Sequence, residues 1–129
     1  MAPVPILHLG DTLLVAVQEE LGDRDALALQ EALHARLERT GARGVLLDLS
    51  AVETVDSFLG RLINDMTRGT RLLGARTVIV GIQPAVAITL VELGLELRGV
   101  RTALNLDKGL ALLKRLLAAE DEPGRARAR

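Results

Sequence analysis

Residues 44–66 read GVLLDLSAVETVDSFLGRLINDM and carry the clearest structural signal in the chain. The first part, GVLLDLS, is a continuous apolar run, which is typical of a strand covered on both faces of a sheet. From Ser57 to Gly74 the apolar residues recur at helical spacing. The predicted apolar side of this helix consists of Phe58, Leu59, Leu62, Ile63, Met66 and Leu73. The stretch therefore predicts a buried strand that leads through a polar loop into an amphipathic helix.

Similar units lie on both sides of this stretch. Two short apolar runs, PVPILHL and TLLVAVQ, are joined by Gly10 and Asp11, which indicate a hairpin turn. The helix that follows has Asp23 as its candidate N-cap and Gly41 as its candidate C-cap. Further along, RTVIVGI and GVRTAL are predicted strands, and PAVAITLVELG is a predicted helix. Asn105 is expected to cap a last helix, LDKGLALLKRLLAAE.

The predicted order of elements is β-β-α-β-α-β-α-β-α, which defines an α/β protein. The opening hairpin and the alternating units predict a mixed, mostly parallel sheet with an initial antiparallel pair, packed by about four helices. Residues 1–119 are expected to form a single domain, and residues 120–129, EDEPGRARAR, a charged and flexible tail. Function in such sheets tends to lie in the loops after the strands, and ETVDSFLG at residues 53–60 is one of them.

The composition excludes several classes of function. The chain has 16 basic and 17 acidic residues and a formal net charge of -1, which gives no electrostatic attraction to nucleic acid or an anionic membrane. Phe58 is the only aromatic residue, so surfaces that stack bases are excluded. The absence of cysteine excludes disulfides and thiolate metal sites and fits a cytoplasmic setting. Neither a signal peptide nor a membrane-spanning run is recognisable, which predicts a soluble protein.

No cofactor or metal site is predicted. The sequence contains neither of the glycine-rich phosphate-binding patterns, GxxxxGK[ST] and GxGxxG. Asp48, Glu53 and Asp56 are close in sequence, but their spacing matches no calcium loop. We interpret them as one strand-end carboxylate and two turn carboxylates.

Ser57 is the residue in this loop that could carry chemistry. A catalytic serine needs a general base, and the two histidines of the chain are His8 in an apolar strand and His34 in an amphipathic helix. Both positions favour a packed or surface imidazole. The sequence DSFLG also differs from the GxSxG elbow of hydrolases, so a serine hydrolase is disfavoured and the protein is predicted not to be an enzyme.

Asp56 and Ser57 are adjacent, and both residue types are favoured helix N-caps. If Asp56 caps the helix, Ser57 occupies the first helical position with its hydroxyl facing solvent. A phosphate at that position is favoured by the helix N-terminus and adds a charge of roughly −1.5 to −2. From the residues alone, a simple cap and a modified serine are equally plausible interpretations.

A stripe of polar residues continues from Ser57 along the same helix. Ser57, Arg61, Asn64 and Arg68 follow a 4-3-4 spacing, which places them on one exposed face. Asp65 lies beside this face and could pair with either arginine. The stripe is either an ordinary solvated face or a surface on which a partner docks, with Arg61, Asn64 and Arg68 as the candidate docking residues.

Two stretches, VDSFLGRLINDM and GIQPAVAITLVELG, are similar to a known family. Together with the order of elements and the Asp-Ser pair, they resemble the STAS domain of anti-sigma factor antagonists, and specifically the RsbS type of small stressosome scaffold. The resemblance extends from about Pro5 to about Leu117. The charged tail from Glu120 onward departs from the family pattern.

The resemblance implies a non-enzymatic switch. In this family a partner serine kinase of the GHKL type phosphorylates the serine that follows the aspartate, which is Ser57 here, and a cognate phosphatase reverses the reaction. Asp56 and Gly60 are the expected switch-loop residues. The unmodified protein is expected to assemble into a large complex with sensor paralogues that carry C-terminal STAS domains. That complex sequesters the kinase, and phosphorylation releases it into a stress-response cascade.

Two questions stay open at this point. A nucleotide- or small-ligand-binding module of the same fold is the alternative function, and it would require a pocket with convergent polar groups. Thr54, Thr67 and Thr89 are possible additional phosphorylation sites that nothing in the sequence favours over packing or surface roles.

Overall fold

The computed structural model of the chain describes residues 5–18, 21–95 and 99–122. Within these residues the elements follow one another as β1 (Ile6–Leu9), β2 (Thr12–Ala16), α1 (Asp23–Thr40), β3 (Gly44–Asp48), α2 (Ser57–Leu72), β4 (Arg76–Val80), α3 (Pro84–Glu92), β5 (Arg101–Ala103) and α4 (Leu106–Glu120). The predicted order of strands and helices is confirmed.

The five strands form one sheet, and their spatial order is their sequence order. β1 and β2 pair antiparallel around a turn at Gly10, which has a φ of 59° in the left-handed region. β2, β3, β4 and β5 pair in parallel. The predicted mixed, mostly parallel sheet with an initial antiparallel hairpin is therefore confirmed.

The two faces of the sheet are covered by different helices. Val45 and Leu47 of β3 belong to a core that also contains buried residues of α1, α2 and α3. Leu46, which points to the opposite face because side chains alternate along a strand, packs with Leu113 and Leu117 of α4. Because β3 is covered on both sides, its sequence is a continuous apolar run instead of an alternating one, as predicted.

Some predicted helix details differ from the structure. α1 has Gly22 at its cap position with no side-chain hydrogen bond, so Asp23 is its first residue and not its cap. Leu73 was predicted on the buried side of α2, but it follows the last turn and is 46% exposed. The predicted C-cap of α1 is confirmed, since Gly41 is left-handed with a φ of 67° and its N–H donates to the carbonyl of Leu37.

Ion pairs fix the end of α4 to the amino-terminal ends of β3 and β4. Arg43 lies 2.9 Å from Asp121 and 3.7 Å from Glu120, and Arg76 lies 3.0 Å from Glu120. The hydrogen bond that Arg43 donates to Asp121 raises the pKa of the guanidinium above its ordinary value. The predicted boundary between residues 119 and 120 thus falls one residue before the end of α4, and Glu120 and Asp121 contact the folded domain. Most of the predicted tail, residues 123–129, lies outside the described residues.

Candidate functional site at the start of α2

The candidate site lies at the carboxyl edge of the parallel strands, in the loop between β3 and α2. Three apolar side chains of this loop, Leu49, Val52 and Val55, are buried in the core. The polar residues between them, among them Glu53 and Thr54, remain exposed. The loop is therefore anchored along its length while its polar side chains face solvent.

Hydrogen bonds join this loop to the loop that follows β4. The backbone N–H of Ser50 donates to Oδ1 of Asp48 at 2.9 Å, and Nε2 of Gln83 donates to the carbonyl of Ser50 at 2.9 Å. Gly81 makes the close approach possible, since a Cβ there would lie 2.8 Å from Cβ of Ser50 and its φ is 73°. The two loops thus form one connected edge next to α2.

Asp56 caps α2, as one of the two sequence interpretations required. Its Oδ1 accepts a hydrogen bond of 2.8 Å from the backbone N–H of Leu59, and its own backbone is extended. Ser57 is the first residue of the helix and is exposed. Within the described residues the hydroxyl of Ser57 makes no hydrogen bond, so it has no structural role there.

Replacing Asp56 with alanine is expected to lower the free energy of unfolding by about 1 kcal/mol, because the cap on Leu59 is lost. Asp56→Asn should retain most of the stability, since its amide oxygen still accepts the bond. Urea denaturation measures both, with Asp65→Ala as the matched control on the exposed side of the same helix. Equal losses for Asp56→Ala and Asp65→Ala would contradict the capping role.

Gly60 was predicted as a switch-loop residue, but it lies in the first turn of α2 and is buried. A Cβ at this position would lie 2.7 Å from a methyl group of Leu95 and 3.2 Å from one of Leu93. The absence of a side chain therefore allows α2 to pack closely against the segment after α3. Gly60 positions the helix, and of the two predicted loop residues only Asp56 belongs to the loop.

A cleft of about 310 Å³ between α1 and α2 begins at Ser57. Its lining residues are Leu27, Gln30, Ser57, Phe58, Arg61, Leu62 and Asp65. Within the described part of the chain, neither Arg61 nor Asp65 forms an ion pair. The cleft combines an apolar floor with a free positive and a free negative side chain beside the serine.

Only one of the three candidate docking residues shares this cleft with Ser57. Arg61 lines it, whereas Asn64 and Arg68 do not. Arg61 and Arg68 are exposed, and Asn64 is half-buried. Leu27 and Gln30 of α1 were missed from the sequence, because the spacing along one helix gives no information about which residues of another helix lie beside it.

The position of His34 does not support a serine nucleophile. Nε2 of His34 lies 3.2 Å from the carbonyl oxygen of Met66, and the ring packs against Gly69 between α1 and α2. Met66 follows Ser57 by nine residues, which is roughly 14 Å along the axis of α2. His34 is therefore too far away to take a proton from Ser57, and of the two predicted roles, packed or surface, the structure shows the packed one.

The described residues contain neither a metal-binding cluster nor a membrane-spanning helix. Within residues 5–18, 21–95 and 99–122, no group of three or more His, Cys, Asp or Glu side chains is arranged to hold a metal ion. Asp48 and Asp56 instead accept backbone hydrogen bonds. In the same described ranges, the helices are too short or too polar to cross a bilayer.

A model of the STAS domain matches residues 4–108 of the chain. The chain belongs to the STAS domain family. The resemblance drawn from VDSFLGRLINDM and GIQPAVAITLVELG is therefore confirmed, as is the STAS fold predicted with it.

Relatives of this STAS domain include RsbT co-antagonist proteins of Bacillus subtilis (strain 168). The RsbT co-antagonist protein RsbRD is 34% identical over 110 residues, which cover 83% of this chain and 39% of that protein. The RsbT co-antagonist protein RsbRB is 30% identical over 109 residues, again covering 39% of that protein. The chain thus spans about two fifths of the length of these curated relatives.

Two solved structures of similar size resemble the domain more closely. A serine-to-glutamate variant of RsbS from Moorella thermoacetica is 44% identical, with a TM-score of 0.83 over 91% of this chain and 99% of that one. A chain from the structure of the stressosome, described as a signal integration and transduction hub, is 46% identical, with a TM-score of 0.80 over 88% of this chain and 98% of that one. This STAS domain is thus similar to RsbR proteins, to RsbS and to a chain of the stressosome.

Proposed function

We propose that the protein is a non-enzymatic stressosome scaffold that holds a partner serine kinase and releases it when Ser57 is phosphorylated. This proposal rests on the different roles of Asp56 and Ser57 at the start of α2. Asp56 caps the helix, which leaves the adjacent Ser57 exposed and without a hydrogen bond among the described residues. A kinase can therefore modify Ser57 without removing an interaction that stabilises the domain.

The first turn of α2 favours a phosphate on Ser57. Unpaired N–H groups and the helix dipole stabilise an anion at a helix N-terminus by about 0.3–1 kcal/mol when the site is exposed. Arg61, four residues later on the same side, lines the same cleft and has no ion-pair partner among the described residues. The phosphate would draw this guanidinium toward Ser57 and change the charge of the cleft from balanced to negative.

The same cleft and the neighbouring polar stripe form the proposed docking surface for the kinase. The apolar floor of Leu27, Phe58 and Leu62 offers area for burial, while Arg61 and Asp65 offer one charge of each sign. Asn64 and Arg68 extend the surface along α2. A phosphate at the mouth of this cleft weakens binding by covering the apolar floor with charge and by engaging Arg61.

The remaining partners are proposed from the relatives. The names of RsbRD and RsbRB describe co-antagonists of RsbT, and one similar chain was solved as part of the stressosome. We assign to this chain a GHKL-type kinase, which it sequesters, and a cognate phosphatase. We also assign to it sensor paralogues with C-terminal STAS domains, with which it forms a large mixed assembly in the cytoplasm. The Moorella RsbS variant carries glutamate in place of a serine, and this substitution adds a negative charge of the same sign as the phosphate that we propose on Ser57.

Capture of the cognate kinase tests the proposal. We expect Ser57→Glu to weaken capture by about tenfold or more, because the carboxylate places a negative charge at the cleft. Ser50→Glu is the matched control, since Ser50 is the other serine of the chain and is exposed in the same loop. Surface-immobilised wild-type and variant proteins would be compared for kinase binding. Unchanged capture by Ser57→Glu, with its fold intact by circular dichroism, would refute the charge mechanism.

A further inference from the structure

A second cavity, of about 480 Å³, lies at the opposite end of α2 from Ser57. The last turns of α2, the start of β4 and the residues that precede β5 surround it. Its lining residues are Thr67, Arg71, Gly74, Ala75, Arg76, Thr77, Gly99, Val100 and Glu120. Arg71 follows Ser57 by 14 residues, which is about 21 Å along the helix axis. The cavity is therefore separate from the candidate phosphorylation site.

Positive charge dominates the wall of this cavity. Arg71 forms no ion pair within the described part of the chain. Its guanidinium lies close to Gly99, since a Cβ on that residue would be 3.0 Å from one of the guanidinium nitrogens. Arg76 donates to Glu120 at 3.0 Å, so the one carboxylate in the described lining is already paired. Among the described residues, no carboxylate compensates the charge of Arg71.

Thr77 provides a second, independent indication of a ligand. Its side chain is only 6% exposed and lines the cavity, yet its hydroxyl makes no hydrogen bond among the described residues. Among the described residues, the one fully buried side-chain oxygen without a partner is the hydroxyl of Thr70, so the hydroxyl of Thr77 is accessible from the cavity. The hydroxyl of Thr67, in contrast, already donates to the carbonyl of Asn64 at 2.9 Å. Thr77 is thus an unused donor on the floor of a positively charged cavity.

We propose that this cavity binds the phosphate group of a small phosphorylated metabolite. Arg71 and Arg76 supply charged donors from α2 and β4, and Thr77 supplies a neutral one from the floor. A tetrahedral phosphate has enough oxygens to meet all three, whereas a planar carboxylate has two. The described lining contains no aromatic side chain and little apolar surface beyond Ala75 and Val100, which fits a short, polar body such as a polyol or sugar better than a nucleobase.

Titration of the full chain with glycerol 3-phosphate and, separately, with inorganic phosphate tests this site. We expect saturable changes in the amide NMR signals of Thr77, Gly99 and Val100. Tighter binding of glycerol 3-phosphate assigns a phosphate monoester as the ligand, and equal binding assigns the free ion. Both affinities should fall as the salt concentration rises, because a charge–charge interaction contributes to binding.

Variants separate this site from non-specific binding of anions. Arg71→Gln should weaken binding about tenfold or more, since the uncompensated cation is lost. Arg115→Gln is the matched control, because this exposed arginine of α4 contributes the same charge away from the cavity. Thr77→Val keeps the β-branched shape and should weaken binding severalfold. The site is refuted if neither compound saturates below about 10 mM, or if Arg71→Gln and Arg115→Gln bind alike.

Discussion

Replacing Ser57 with alanine is expected to abolish phosphorylation of the protein by its cognate kinase. Ser57 is exposed at the first position of α2, and its hydroxyl is unbonded within the described residues, so it is accessible to an incoming kinase. The fold should not change, because Asp56 supplies the cap and Ser57 contributes no stabilising contact of its own. The expected effect is thus a complete loss of modification in a folded domain.

Ser50→Ala is the control for this prediction, since Ser50 and Ser57 are the only serines of the chain. Ser50 is exposed in the same loop, and its contacts to Asp48 and Gln83 use its backbone and survive the substitution. Both variants would be incubated with kinase and ATP and mapped by intact-mass and peptide mass spectrometry. A phosphate retained on Ser57→Ala at Thr54, Thr67 or Thr89, in the same amount as in the wild type, would overturn the assignment.

Replacing Ile63 with alanine is expected to lower the free energy of unfolding by about 2–5 kcal/mol. Ile63 is 0% exposed and lies in the core that joins α2 to the sheet and to α1. The substitution removes buried methyl groups and leaves a cavity that close-packed neighbours fill only in part. This loss is a large part of the 5–15 kcal/mol that is typical of a natural domain.

Ile88→Ala is the matched control, because Ile88 is an isoleucine of α3 that is 58% exposed. We expect its effect to stay within about 0.5 kcal/mol, as is usual for surface positions. Urea denaturation followed by circular dichroism measures both, and the slope of the transition shows whether unfolding remains cooperative. Similar losses at the two positions would mean that α2 does not pack against the sheet as described.

The elements that could be predicted from sequence are those with a local signal. The continuous apolar run of β3 indicates a strand buried on both faces, and the helical period after Ser57 indicates an amphipathic helix. Asp56 as the cap was one of two interpretations, because either adjacent side chain could accept the same backbone hydrogen bond. The sequence could not decide between them, since the choice depends on which residue has extended backbone angles. In the structure, Asp56 has the extended backbone angles of a cap residue.

Other features depend on residues that are far apart in the chain. Gly60 looks like a loop glycine beside Asp56, and only the position of Leu95 shows why no side chain fits there. Glu120 looks like the start of a charged tail, and only its distance to Arg76 shows that it belongs to the domain. In each case the neighbouring residues in the sequence do not indicate which distant residue makes the contact.

The sequence by itself determined the order of the elements and the sheet type, because the periodicity of apolar residues and the turn signals are encoded within a few neighbouring residues. Only the tertiary structure decided the cleft beside Ser57 and the cavity beside Arg71. The first depends on how α1 packs against α2, and the second on how the end of α2 meets the sheet and the backbone at Gly99. Such surfaces arise where separate elements meet, so their shape and charge follow from packing in three dimensions and not from local pattern.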